Sequence, residues 1–227
     1  MQKLASGVHA FQARYFASHR PLFEKLAEVG QSPETLFITC SDARVVPNLI
    51  TSAAPGELFI VRNVGNVVPS LNNPGGTAAA IEYAVEVLNV STIVVCGHTH
   101  CGAIQAVLDP VRMDRLPFVK RWLAQTSRVR DIVAQRYGHL EGQARMTAAI
   151  EENVLVQLEN LRQFPFIAER LEQEKLLLSG WVFQIETGEV FSYEPSQGQF
   201  IEIGSRRPST IPPPVVPDSR HEKAAKG

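Results

Sequence analysis

The spacing of hydrophobic positions changes along the chain, and each change marks an element. From Met1 to Phe23, Leu4, Val8, Phe11, Tyr15 and Phe16 recur near helical spacing, which predicts an amphipathic helix. Gln31 to Pro33 break that pattern. Leu36 to Cys40 is then a short apolar run of β-forming residues that ends in Ser41-Asp42, and it reads as a buried strand. After the turn signal Pro55-Gly56, Leu58 to Val61 reads as a second buried strand, ending at Arg62-Asn63. Val64 to Gly76 is a loop rich in Gly, Asn and Pro. Thr77 to Leu88 reads as a helix carrying Ala78, Ala79, Ala80 and Ile81. Thr92 to Cys96 is a third apolar run, ending at Gly97-His98, and another helix begins near Gly102.

From Pro117 to Phe166 the period is helical. Val119, Trp122 and Leu123 repeat at i, i+3, i+4, as do Ile150, Val154, Leu155 and Leu158, followed by Leu161. Leu176 to Leu178 and Trp181 to Ile185 predict a further strand. Thr187-Gly188 turns the chain, and Val190 to Tyr193 returns as an edge hairpin. Strands alternating with helices predict an α/β fold. The expected sheet is mainly parallel, of four to five strands with an antiparallel edge hairpin. Helices flank it, and residues 1–30 form an N-terminal helical arm. Residues 1–205 read as a single domain. The Pro-rich tail, 206–227, contains Pro208, Pro212, Pro213, Pro214 and Pro217 and is expected to be extended or disordered.

Composition narrows the function classes. Hydrophobic residues make up 44% of the 227 and charged residues 20%, as in an ordinary globular protein. The net charge of -1 excludes a globally basic protein built for nucleic acid. No apolar run reaches the length of about 18 residues that a membrane-spanning helix needs. Three cysteines, Cys40, Cys96 and Cys101, are too few for a disulfide framework and suit reduced thiols in the cytoplasm. The N-terminal stretch carries Lys3, Arg14 and Arg20 and no acid before Glu24, so a transit peptide competes with the helical arm.

The chemistry gathers at strand ends. Cys40-Ser41-Asp42, Arg62-Asn63 and His98 all fall at the carboxyl ends of predicted strands, the edge where open α/β sheets bind ligands. His98 and Cys101 form an H-x-x-C pair, and with Cys40 they offer the imidazole and thiolates that zinc favours. On spacing alone, metal ligands and core thiols compete. Cys96 lies inside an apolar run and reads as core. His100 competes with His98 as a ligand, and a proton-shuttling role is also open to it. Asp42 and Arg44 form either a surface ion pair of little consequence or, at a metal's edge, a carboxylate fixed and kept ionised by a bidentate guanidinium.

Together Cys40-Ser41-Asp42-Ala43-Arg44 and His98-x-x-Cys101-Gly102 resemble the β-class carbonic anhydrases, in particular their plant-like subgroup. The likeness continues through Pro55-Gly56-Glu57, Arg62-Asn63, Gly65-Asn66 and Glu82-Tyr83-Ala84. It favours the helical arm over the transit peptide. The resemblance implies a zinc enzyme hydrating carbon dioxide to bicarbonate and a proton through attack by zinc-bound hydroxide. It implies one Zn2+ per chain on Cys40, His98 and Cys101, and an Asp42-Arg44 dyad orienting the hydroxide. Gln31, Phe59, Val64 and Tyr83 would bind substrate, with the backbone N–H of Gly102. Part of each pocket would come from a neighbouring subunit, which makes a homodimer the minimum and a tetramer or larger assembly expected.

Some bacterial members carry a non-catalytic bicarbonate site of Trp, Arg and Tyr that locks an inactive form. The matching positions here are Phe37, Arg62 and Phe183. Two donors are lost, so no such lock is expected. The rival readings are a carbonyl sulfide or carbon disulfide hydrolase on the same fold, and a structural zinc or scaffold protein. Structural zinc would need a fourth ligand from Asp42 or His100. A zinc deaminase lacks its H-x-E and P-C-x-x-C signature here.

Overall fold

The computed structural model describes residues 1–205; the tail expected to be extended, 206–227, lies outside them. The arm comprises α1 (Gln2–Ala10), a π-helical turn over Phe11–Phe16 and α2 (Ala17–Val29). It kinks at His19, two residues before Pro21, because proline supplies no N–H and crowds the preceding turn. Ser18 Oγ takes up the Tyr15 carbonyl at the kink. Then follow β1 (Thr35–Cys40), α3 (Pro47–Thr51), β2 (Leu58–Asn63) and α4 (Gly75–Glu82), which continues into a π-helical turn over Tyr83–Val87. Next come β3 (Thr92–His98), α5 (Gly102–Leu108), α6 (Pro117–Leu123), α7 (Arg128–Arg136), α8 (Gly142–Arg162) and α9 (Pro165–Glu172). The chain closes with β4 (Leu177–Phe183), β5 (Val190–Glu194) and β6 (Gln199–Glu202).

The six strands form one sheet in the order β2-β1-β3-β4-β5-β6. The first four pair in parallel, and β5 and β6 add antiparallel at one edge. This is the expected class with one more strand. Gln199 to Glu202 is too short to show a period, and only its register with β5 identifies it. Arg62-Asn63 and Gly97-His98, where the second and third strands were expected to end, are the last residues of β2 and β3, and pairing persists there as Cys40↔Asn63 and His98↔Phe183. Leu177–Phe183 is one strand running through Ser179-Gly180. The helical middle is divided, with prolines at the first positions of α6 and α9.

The sheet has two apolar faces. Leu36 and Ile38 of β1, with Ile93 and Val95 of β3, pack beneath Ile150, Val154 and Leu158 of α8. Phe37, Val94, Cys96 and Phe183 pack on the other face with Val45. α8 lies close to the sheet because two strand positions lack side chains. A Cβ on Gly97 would sit 2.9 Å from Val154 Cγ2, and one on Gly180 would sit 2.7 Å from Val154 Cγ1. The chain leaves β1 for β2 on one side and returns to β3 on the other. The order therefore reverses between β1 and β3, and the crevice outside their carboxyl ends is where such sheets place a ligand.

Candidate metal centre

Cys40 is the last residue of β1 and His98 the last of β3, the two strands that flank the reversal. Cys101 directly precedes α5. One ligand atom from each of these buried residues lies within 4.8 Å of the others, the geometry of a metal site. His98 Nδ1 lies 2.8 Å from the Thr99 carbonyl oxygen, which can only accept. Nδ1 therefore carries the hydrogen and Nε2 presents a lone pair. Nε2 is buried and has no hydrogen-bond partner among the described residues, an arrangement that costs free energy unless a cation completes it.

The neighbouring Cys101 thiol holds Cys40 below its ordinary pKa, against the opposing effect of burial. The Gly65 N–H adds a contact 3.5 Å from Cys40 Sγ. Cys101 is pushed up by the neighbouring Cys40 and by burial. A divalent cation held here would bind both sulfurs as thiolates and release their protons. Two sulfurs and one imidazole are the donor set that zinc prefers. Cys96 is the contrast: full burial pushes it up to about 12, and it packs as core.

Asp42 stands beside the three candidate ligands without joining them. Its Oδ2 is 4.0 Å from His98 Nε2. Arg44 grips the carboxylate with Nε on Oδ1 at 2.9 Å and Nη2 on Oδ2 at 2.7 Å, and its backbone N–H adds a bond to Oδ1 at 3.0 Å. These bonds hold Asp42 well below the usual carboxylate range. Arg44 Nη2 also donates to the His100 carbonyl at 3.2 Å, tying the two loops together. His100 itself adopts positive φ, and its Nε2 is 3.6 Å from Glu186 Oε1.

The expected substrate residues fall into two groups. Val64 follows β2 in the loop that closes on Cys40, and Gly102 opens α5 beside Cys101. Phe59 and Tyr83 are together, ring centroids 6.0 Å apart, but elsewhere. Phe59 pairs with Leu36, four residues back along β1 from Cys40, or about 13 Å at strand spacing. Gln31 is exposed ahead of β1. One chain thus assembles Cys40, Asp42, Arg44, Val64, His98, Cys101 and Gly102, and leaves Gln31, Phe59 and Tyr83 apart.

With this geometry in view, comparison with known proteins is decisive. The carbonic anhydrase family model matches residues 35–190, more than half of the chain. The chain belongs to the β-class carbonic anhydrases. It is 45% identical over 208 residues to a carbonic anhydrase of Synechocystis, covering 91% of this chain and 76% of that protein. It is 41% identical over 206 residues to carbonic anhydrase 1 of Escherichia coli, covering 90% and 93%. The solved β-carbonic anhydrase CcaA superposes with a TM-score of 0.87 at 45% identity, covering 92% of this chain and 94% of that one. Two tetrameric β-carbonic anhydrases from Sordaria macrospora are represented by a chain with a TM-score of 0.77 at 30% identity, covering 89% and 96%. Carbon dioxide hydration is the reaction of this family. Among the described residues no helix is long and apolar enough to cross a membrane.

Within this carbonic anhydrase fold the sequence reading placed Arg62 at the site's edge without its bracing bonds, and missed Asn153 and Gln157. Arg62 donates to the Cys40 and Asp42 carbonyls, at 3.1 and 2.7 Å, and so anchors the segment carrying the Cys40 thiol and the Asp42 carboxylate. Asn153 and Gln157 are fully buried on α8 and reach the loop after β2. A polar pair at i, i+4 facing inward was the available signal, and the apolar period around it masked it.

Proposed function

We propose that this enzyme is a zinc carbonic anhydrase with one zinc per chain on Cys40, His98 and Cys101, and with Asp42 and Arg44 as its catalytic dyad. The observation that carries the reading is the buried, unpartnered Nε2 of His98 grouped within 4.8 Å with two thiols. Zinc held there would supply a Lewis acid able to generate a nucleophile from water near neutral pH. Two thiolates make the site formally neutral, so the neighbouring residues must contribute more than at a three-His site.

Asp42 is built for that contribution. Ionised and held by Arg44, it can only accept, and Oδ2 faces the ligand cluster. It accepts a hydrogen bond from the attacking water at Oδ2 and so aims the lone pair at carbon dioxide. Arg44 keeps the carboxylate off the ligand position. Val64 supplies apolar wall suited to an uncharged substrate, and the Gly102 N–H, in the first turn of α5, has no acceptor within the helix and suits a substrate oxygen.

We read residues 1–205 as one catalytic unit and place Gln31, Phe59 and Tyr83 in the pocket of a neighbouring copy. Their separation from their own Cys40 supports this, as do the tetrameric Sordaria relatives. A homodimer is then the minimum assembly. The three free thiols fit the reducing cytoplasm. A closed structural zinc is disfavoured, because Asp42 is committed to Arg44 and His100 lies against Glu186. The test is stopped-flow carbon dioxide hydration from pH 6.5 to 9 on protein of measured zinc content. Hydration whose rate rises with pH at one zinc per chain supports the reading. Full zinc with no hydration at any pH refutes it.

A further inference from the structure

Resting on the zinc reading above, we infer that Trp122 is a positioning residue for the metal ligand Cys40, acting through the Val64–Gly65 peptide. The indole N–H of Trp122 donates to the Val64 carbonyl at 2.8 Å. The N–H of the same peptide plane, on Gly65, points at Cys40 Sγ at 3.5 Å. One rigid peptide is thus held at its oxygen by Trp122 and presented at its nitrogen to the thiolate. A donor on the carbonyl also polarises the peptide and makes its N–H a stronger partner for sulfur.

The next carbonyl is held as well. Asn153 Nδ2 donates to the Gly65 oxygen at 3.1 Å, and its Oδ1 accepts from Thr126 and Gln157 at 2.8 and 2.9 Å. Gly65 sits at φ +85°, and a Cβ there would meet Ala103 Cβ at 3.2 Å, so only glycine fits this approach. Further along, Asn160 Nδ2 holds the Val68 carbonyl at 3.1 Å. That bond resembles the one from Asn153, but Asn160 reaches Gly65 only through Gln157 and then Asn153, two hydrogen bonds further from the sulfur. An N–H on a ligating thiolate withdraws charge from it and fixes its direction, and loss of such an outer partner weakens metal binding by about 10-fold or more.

The experiment compares wild type with Trp122→Phe, Asn153→Asp and Asn160→Ala. Each is prepared as the zinc protein and, by exchange, with Co(II), whose thiolate-to-cobalt charge-transfer band reports on the sulfur. Trp122→Phe keeps the ring and removes only the donor. Asn153→Asp keeps the shape and places an oxygen against the Gly65 carbonyl. Expected are a displaced charge-transfer band and about 10-fold weaker zinc retention against a chelator in both. Asn160→Ala should lower Tm with the band unmoved. Bands in Trp122→Phe and Asn153→Asp identical to wild type overturn the inference, as does an equal displacement in Asn160→Ala. Wild-type protein that binds no zinc overturns the metal reading itself, a different result.

Discussion

Val154 sits over two glycines, and that seat sets where the end of β3, and therefore His98, lies. In Gly97→Ala the new methyl would arrive 2.9 Å from Val154 Cγ2 and 3.2 Å from Ile150 Cγ2. Neither neighbour yields easily, because both are β-branched residues on a helix, stiff at χ1 and fully or almost fully buried. Overpacking of this kind costs about 1–3 kcal/mol. At about 2–4 °C per kcal/mol for a domain of this size, Tm should fall by about 2–12 °C. Val154→Ala alone removes two buried methyl groups and should cost about 1–3 kcal/mol. In the double variant the methyl added on Gly97 occupies space vacated by Cγ2. The two losses should then fall short of their sum by about 1–2 kcal/mol. Denaturant titration of the four proteins at fixed zinc measures this coupling. An unperturbed Gly97→Ala, or strictly additive losses, would show that α8 does not bear on the sheet there.

Other expectations follow from the same geometry. Asp42→Asn should retain zinc, because Asp42 is not among the ligands, and lose about 100-fold or more in kcat; elemental analysis with stopped flow checks both. Glu152 is buried, accepts from Tyr137 at 3.1 Å, and has its pKa raised chiefly by desolvation. A carboxyl whose folded pKa is raised contributes its full stability below the unfolded value, near 4.3, and loses it as pH rises through the folded pKa. Glu152→Gln should therefore stabilise the enzyme more at pH 8 than at pH 4.5, and a Tm gain independent of pH would contradict that. Phe37 and Phe183 are buried in an apolar cluster, and Arg62 is occupied with the Cys40 and Asp42 carbonyls. Added bicarbonate near pH 7 should produce only ordinary product inhibition. A crystal showing Asp42 on the metal with bicarbonate at Arg62 would refute this.

What could be read from the sequence was what is local. The apolar runs that end in Cys40-Ser41-Asp42 and Gly97-His98 mark both strands and candidate ligands, because a buried parallel strand must be apolar until it reaches the edge where chemistry occurs. The Asp42-Arg44 dyad was legible because its partners are two residues apart. The reversal between β1 and β3, which makes Cys40 and His98 neighbours, is a property of topology and leaves no local trace. Trp122 sat in an apolar helical pattern, and nothing near it in sequence points to a carbonyl at Val64. The inward amides of Asn153 and Gln157 were hidden by the apolar residues around them on α8. The separation of Phe59 and Tyr83 from Cys40 emerged only from the register of β1 with β2.

The most direct measurement of the central claim is zinc K-edge absorption on the purified enzyme. The account expects two sulfurs at about 2.3 Å and one imidazole nitrogen with one further light atom at about 2.0–2.1 Å. That further atom should come from solvent, so a sulfonamide inhibitor should replace it with the two sulfurs unchanged. A shell without sulfur, or one closed by a second imidazole that no inhibitor alters, would contradict the account.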